Sequence, residues 1–182
     1  MIKFDLNPNK VIETLVYLSS KKPNIDHYHM VKIIFYADKM HLNKYGRPIL
    51  GDNYIKMHAG PVPSYVLDII NLNDMVVESE VLDKTINSLG IIQDYKRKLI
   101  SPKRSADLLE FSDSDIECLD AAFEVYEKKT GEELYTESHK ERAWIEADLN
   151  SRMNYELMVD VNNPMASDII EDLTQSSNYM VI

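Results

Sequence analysis

The chain has 182 residues, with 20 Lys plus Arg set against 30 Asp plus Glu, a formal net charge of −10. A surface this acidic repels polyphosphate, which sets duplex DNA and RNA aside as primary ligands of this chain alone. One cysteine, Cys118, excludes an internal disulfide framework and suits a reducing compartment, and no apolar run approaches the ~20 residues that cross a bilayer.

With 45% apolar and 27% charged residues the composition is that of a folded globule, and the length favours a single domain over residues 1–182. Met1 to Leu6 lacks the apolar core of a signal peptide, so the expected location is the cytoplasm, with no membrane partner.

Asn7-Pro8 opens the first helix. Asn is a good N-cap, Pro costs nothing at the first helical position, and Val11, Leu15 and Leu18 recur at helical spacing until Pro23. A second, central helix runs from a cap at Asp26 to Tyr45, where Gly46 supplies the left-handed stop and Pro48 bars continuation. Its apolar residues occupy most of the circumference. His29, Lys32, Lys39 and Asn43, with Tyr36 among them, are left as a thin stripe expected to face water. Asp38 stands outside that stripe in apolar company, and a buried carboxylate needs a partner. His41, three residues on, is the expected one, forming a structural polar pair that locks the helix to the loop after it.

Residues 46–52 read as a rigid turn, 53–57 as a short strand and His58-Ala59-Gly60-Pro61-Val62-Pro63 as a second tight bend feeding a helix to about Asn71. Residues 74–100 carry the short β-branched runs Met75–Val77, Gly90–Ile92 and Lys98–Ile100, which predict a small antiparallel sheet. Ser112 and Asp115 form a capping pattern ahead of a helix carried by Ile116, Leu119, Phe123 and Tyr126. Shorter helices are expected over 132–138 and 143–149, the latter holding Trp144. Residues 150–163 are ambiguous, a last helix spans 166–173, and 174–182 read as a loose tail. The fold class is therefore α+β and predominantly helical, built on a buried helix over about 26–45 with a small antiparallel sheet on one side.

Catalytic and metal constellations are sparse. His27 and His29 diverge around a helix and cannot chelate one ion, there is no HExxH, and His139-Lys140-Glu141 lacks the P-C-x-x-C that a zinc deaminase needs. No metal and no cofactor are expected. His139 fits a helix end packed near Trp144, although a site built from Asp38, His41, His58 and His139 stays open. Tyr95-Lys-Arg-Lys with Lys103-Arg104 is the sole basic stretch and reads as the solvated face of a hairpin, with binding of nucleic acid or an acidic partner as the alternative. Tyr28, Tyr36, Tyr45, Tyr54 and Tyr65 gather around the central helix and its loops, and tyrosine is enriched in interfaces.

The string Lys32-Ile-Ile-Phe-Tyr-Ala-Asp-Lys-Met-His-Leu-Asn-Lys-Tyr-Gly-Arg-Pro-Ile-Leu-Gly-Asp, then Gly60-Pro61-Val62-Pro63, then Ser138-His139 and Trp144, resembles the Panacea domain of SocA-like antitoxins over about residues 7–150. The resemblance implies a mostly helical domain, often found in phage and mobile-element neighbourhoods, that neutralises a toxin encoded beside it by direct binding. Toxins paired with the family have many unrelated folds. Some members carry an added DNA-binding module; with the first helix opening at Asn7-Pro8, none is expected here, nor is operator binding by this polypeptide alone.

The leading expectation is thus a non-enzymatic antitoxin of a type II system whose partner is a basic protein toxin, drawn in by the acidic surface. Its functional surface is placed on the loops 45–48 and 58–63: Tyr45, Arg47 and Pro48, then His58, Gly60, Pro61, Val62 and Pro63, with Tyr36, Tyr65 and Trp144 nearby. Ser138 and His139 belong to the motif. Arg47, between Gly46 and Pro48, is either a partner-binding anchor preorganised for a bidentate contact or a cap on the last carbonyls of the central helix. Two rival expectations are an enzyme working from an Asp38, His41 and His58 pocket, and an interaction module acting as a protease adaptor or phage–host regulator. Toxin identity and stoichiometry stay open.

Overall fold

The computed structural model describes residues 2–179, and side-chain surroundings as far as Gln175. Helix α1 (Pro8–Lys21) is capped by the Asn7 side chain, which accepts from the Asn9 amide at 2.9 Å. After the two-residue strand β1 (Ile25–Asp26), the Asp26 carboxylate caps α2 (His27–Tyr45) by accepting from the Tyr28 and His29 amides. Gly46 closes that helix at φ 76°. Met30, Ile33, Ile34, Phe35, Ala37 and Leu42 are inaccessible or nearly so, and α2 forms the axis of the molecule.

Around it, strands β2 (Tyr54–Met57) and β3 (Gly60–Pro63) form an antiparallel hairpin in which Tyr54 faces Pro63 and Met57 faces Gly60. Helices α3 (Ser64–Asn71) and α4 (Ser79–Ser88) follow, then the hairpin β4 (Leu89–Asp94) and β5 (Arg97–Pro102). Strand β1 adds to β5, giving a three-stranded antiparallel sheet of order β1-β5-β4, with Ile100 opposite both Ile25 and Ile91. A 3₁₀ turn at Leu108–Glu110 precedes α5 (Asp113–Tyr126), whose first turn carries the full Ser112–Asp115 capping box. Helices α6 (Gly131–Ser138) and α7 (Arg142–Glu146), a 3₁₀ turn at Tyr155–Met158 and α8 (Ala166–Tyr179) complete the order.

The segment after α7 returns to the hairpin. The Asn150 amide donates to the Lys56 carbonyl, the Lys56 amide to Ser151 and the Met153 amide to Tyr54, so the outer edge of β2 is paired. Tyr155 then drops into the core, where its ring meets Phe4 and Tyr54 edge-on and its hydroxyl donates to the Asp52 carbonyl at 2.7 Å.

The mostly helical α+β architecture and the central helix agree with the sequence pattern, but several local expectations do not hold. Met75–Val77 is a turn, and residues 79–88 form a helix inside the stretch read as β-rich. Residues 60–63 are a paired strand, with the bend confined to His58–Ala59. The last helix continues past Leu173 to Tyr179, so the expected loose tail is helical that far, and 180–182 lie outside the described residues. The stripe on α2 is largely dry as well. Lys32 is fully buried beneath β3 and α6, and Tyr36 is 4% exposed, with the Tyr126 ring of α5 stacked on it.

Candidate functional site: the hairpin turn and its aromatic collar

Two buried carboxylates fix the backbone that carries the site. Asp38 accepts from the Ile49 and Leu50 amides at 3.0 Å, from Gly51 at 3.3 Å and from the Tyr54 hydroxyl at 3.0 Å. Burial pushes it up to about 6 while those four donors pull it back. The helix is therefore locked to the following loop, but not through His41. The His41 ring lies between the Arg47 carbonyl at 2.7 Å and Ser114 Oγ at 3.0 Å, with Asp115 at 3.2 Å. The expected Asp38–His41 pair is absent, since each side chain is held by a different segment.

Asp52 repeats the device one turn later. It accepts from the Tyr65 amide at 3.1 Å and the Val66 amide at 2.9 Å, capping α3 from outside the helix, and burial raises it to about 6. No spacing rule points to Asp52, because its partners lie 13 and 14 residues away.

Arg47 neither caps α2 nor stands free. Its guanidinium donates to Asp115 at 3.0 Å and to Ser112 at 3.2 Å, tying the loop to the start of α5. Lys10 reaches the same carboxylate at 2.7 Å. Against the cost of burial, the hydrogen bond from Lys10 holds Asp115 below the usual carboxylate range.

The hairpin is gripped from beneath by Lys32. Its ammonium donates to the Pro61 carbonyl at 2.9 Å and lies 5.2 Å from the Tyr28 ring centroid, and burial lowers it to about 7. Gly60 sits directly above at φ 98°. A Cβ there would come within 2.6 Å of Lys32 Nζ and would also strike the buried Ser138 hydroxyl. The motif residues Gly60 and Ser138 thus meet at one crowded point.

Above that point the turn carbonyls are held by a ring of aromatic side chains. Trp144 Nε1 donates to the Met57 carbonyl at 3.1 Å, His139 Nε2 meets the His58 carbonyl at 3.0 Å and the Tyr28 hydroxyl donates to the Ala59 carbonyl at 3.3 Å. The rings continue outward. Tyr135 stacks on His139 at 3.7 Å, His139 lies 4.0 Å from Trp144, and Lys56 Nζ sits 4.3 Å over Trp144. Tyr135 is 47% exposed and the neighbouring Ile145 56%. This collar presents apolar and aromatic area on a rigid turn, the composition that carries binding energy in protein interfaces.

Several residues expected on the contact surface are inside instead. Tyr36, Pro48, Gly60, Pro61, Val62 and Pro63 are buried and act by shaping the hairpin and loop. Tyr45, Arg47 and His58 are exposed, and Tyr65 and Trp144 are partly so. Asp38, His41 and His58 do not converge. Asp38 is taken up by three backbone amides and the Tyr54 hydroxyl, His41 is inaccessible and His58 stands on the exposed turn, so the pocket imagined from the three is not formed. Among the described residues no group of three or more His, Cys, Asp or Glu could hold a metal ion. None of their helices is long and apolar enough to cross a membrane. Sequence reasoning missed Tyr135 and Lys56. Tyr135 had a signal, since it lies on α6 four residues before His139, the residue that caps that helix.

The basic stretch splits. Lys96 and Arg97 are exposed at the β4–β5 turn, whereas Arg104 folds back onto the buried Glu13 in a bidentate pair.

A family model described as "Antitoxin SocA-like, Panacea domain" matches residues 30–145, more than half of the chain. It takes in α2 from Met30 onward, both carboxylate anchors, the hairpin, Ser138, His139 and Trp144. No curated protein and no solved structure matches the chain.

Proposed function

Since the chain belongs to the SocA-like, Panacea-domain antitoxin family, we propose that it neutralises a cognate protein toxin by direct binding, with the aromatic collar around the β2–β3 turn as the contact surface. The observation that carries this reading is the collar itself. Tyr28, His139 and Trp144 each bind a carbonyl of the turn through a polar edge, which fixes the rings in place and leaves Tyr135, Trp144 and Ile145 facing outward. Rings immobilised before binding lose little entropy on contact, so their buried area converts more fully into affinity.

The net charge of −10 adds long-range attraction for a basic toxin, accelerating encounter more than it tightens the final complex. Tyr45 and Arg47 extend the surface toward α5. In this reading the chain works by occupancy, in the cytoplasm, and Asp38, His41 and Asp52 serve architecture.

The test is co-expression with the gene encoded beside this one. Growth arrest by the neighbour alone, and its relief by this chain, is the expected result. A harmless neighbour, or one that stays lethal in the presence of this chain, overturns the reading. Toxin half-life separates masking from adaptor action: masking leaves it unchanged, and delivery to a protease shortens it.

A further inference from the structure

Between α2, α5 and the segment after α7 lies a second feature. It is a cleft of about 210 Å³, below the ~300–1,000 Å³ of small-molecule pockets and suited to a single side chain. Its wall is a pair of parallel rings, Tyr36 and Tyr126, with centroids 3.9 Å apart and planes 4° from parallel. Its rim holds Lys39, whose ammonium bridges Glu141 at 2.7 Å and Asp160 at 3.2 Å.

One atom there is incomplete. Among the described residues the Tyr36 hydroxyl has no hydrogen-bond partner, although the residue is only 4% exposed. An unmade hydrogen bond of this kind costs about 1–3 kcal/mol. Burial first, and then the negative field of Glu141 and Glu137, push this phenol well above its ordinary value, so it stays neutral with its oxygen lone pairs free. That same field repels anions. A cationic donor suits that field better than an anionic acceptor.

We propose that this cleft receives a guanidinium group, presented as an arginine side chain by the bound protein partner. A planar guanidinium can lie along the stacked tyrosines while its N–H groups reach Tyr36 Oη, Glu141 and Asp160, and the two carboxylates then balance two cations, the incoming one and Lys39. Lysine shares the charge but not the plane or the fork. The identity of the occupant rests on the toxin-binding reading above, whereas the chemistry of the cleft does not.

The experiment uses the full chain labelled with ¹³C-tyrosine, titrated with N-acetyl-arginine amide and, separately, with the uncharged isostere N-acetyl-citrulline amide. The arginine derivative is expected to shift the Tyr36 and Tyr126 ring resonances saturably with a millimolar Kd, and citrulline to bind at least ~10-fold more weakly. Glu141→Gln and Tyr36→Phe are each expected to weaken the arginine response about 5-fold while leaving the other tyrosine resonances in place. An absent or unsaturable response, equal responses to the two compounds, or unchanged binding in both variants overturns the site. Once a toxin is in hand, its complex is expected to show no response to the arginine derivative, and a complex that still responds overturns the occupant. No toxin is needed for the first arm, so failed neutralisation and a failed cleft are told apart.

Discussion

The ammonium of Lys32 occupies the space that a side chain at Gly60 would need. The two residues are 28 apart in sequence, yet each dictates the other: the buried amine is tolerated because the glycine leaves it room beside the Pro61 carbonyl. Gly60→Ala is expected to destabilise the protein by about 3 kcal/mol, since it combines a positive φ with a collision against Lys32 and Ser138. Urea unfolding measures it, and a loss under 1 kcal/mol would show that the hairpin can shift aside.

Lys32 also gives a pH signature. Burial lowers it to about 7 in the folded chain from the ordinary 10.5, so the folded state binds fewer protons than the unfolded one between those values. The cost of the buried charge is thus fully present below pH 7 and relieved as pH rises toward 10. Lys32→Met, compared with the native chain, should gain about 2 kcal/mol in relative stability on going from pH 10 to pH 6. Parallel stability profiles for the two proteins would refute this.

His29 works in the opposite direction. Its ring faces two acceptors, the Asp26 carboxylate and the Lys129 carbonyl, both at 2.7 Å. The Asp26 hydrogen bond raises its pKa, and that stabilisation is complete below the ordinary 6.5 and fades as pH climbs through the raised value. His29→Ala is expected to cost about 2 kcal/mol at pH 5.5 and less at pH 8, read from thermal or urea midpoints.

Asp38→Asn is expected to lose about 3 kcal/mol, because an amide offers one acceptor oxygen to four donors and turns a donor of its own toward them. The loop at 49–51 should loosen with it, which amide hydrogen exchange reports at those positions.

For the collar, Trp144→Ala and Tyr135→Ala are each expected to weaken toxin binding by about 2 kcal/mol, roughly 30-fold. The urea midpoint of Tyr135→Ala should stay near that of the native chain, its ring being half exposed. Titration calorimetry with the purified toxin decides, and full affinity in both variants would move the contact surface elsewhere.

The elements most legible in the sequence were those with local signals. Asn7, Asp26, Gly46 and Ser112 mark helix ends through bonds made within three or four residues, and α1, α2 and α5 begin or end where those residues stand. Helix α4 was hidden because Val76, Val77, Val81 and Thr85 have strand preference, and Glu78 caps nothing with its side chain. The site was legible in composition and obscure in geometry. Lys32 looks like any solvated lysine on a helix face, and only the hairpin and α6, arriving from 28 or more residues on, bury it. The partner of Asp38 was misassigned for the same reason: the i, i+3 rule proposes His41, while the actual donors are three backbone amides 11–13 residues away and the Tyr54 hydroxyl 16 residues away.

The pairing of residues 150–153 with β2 sets a limit on how the protein can be shortened. The family match stops at residue 145, before that pairing begins. A fragment cut there would unzip Tyr54 and Lys56 from their covers and bare a raw strand margin beside the collar, inviting sheet-to-sheet clumping between molecules. Residues 150–153 are in this sense a seal on the open margin of β2.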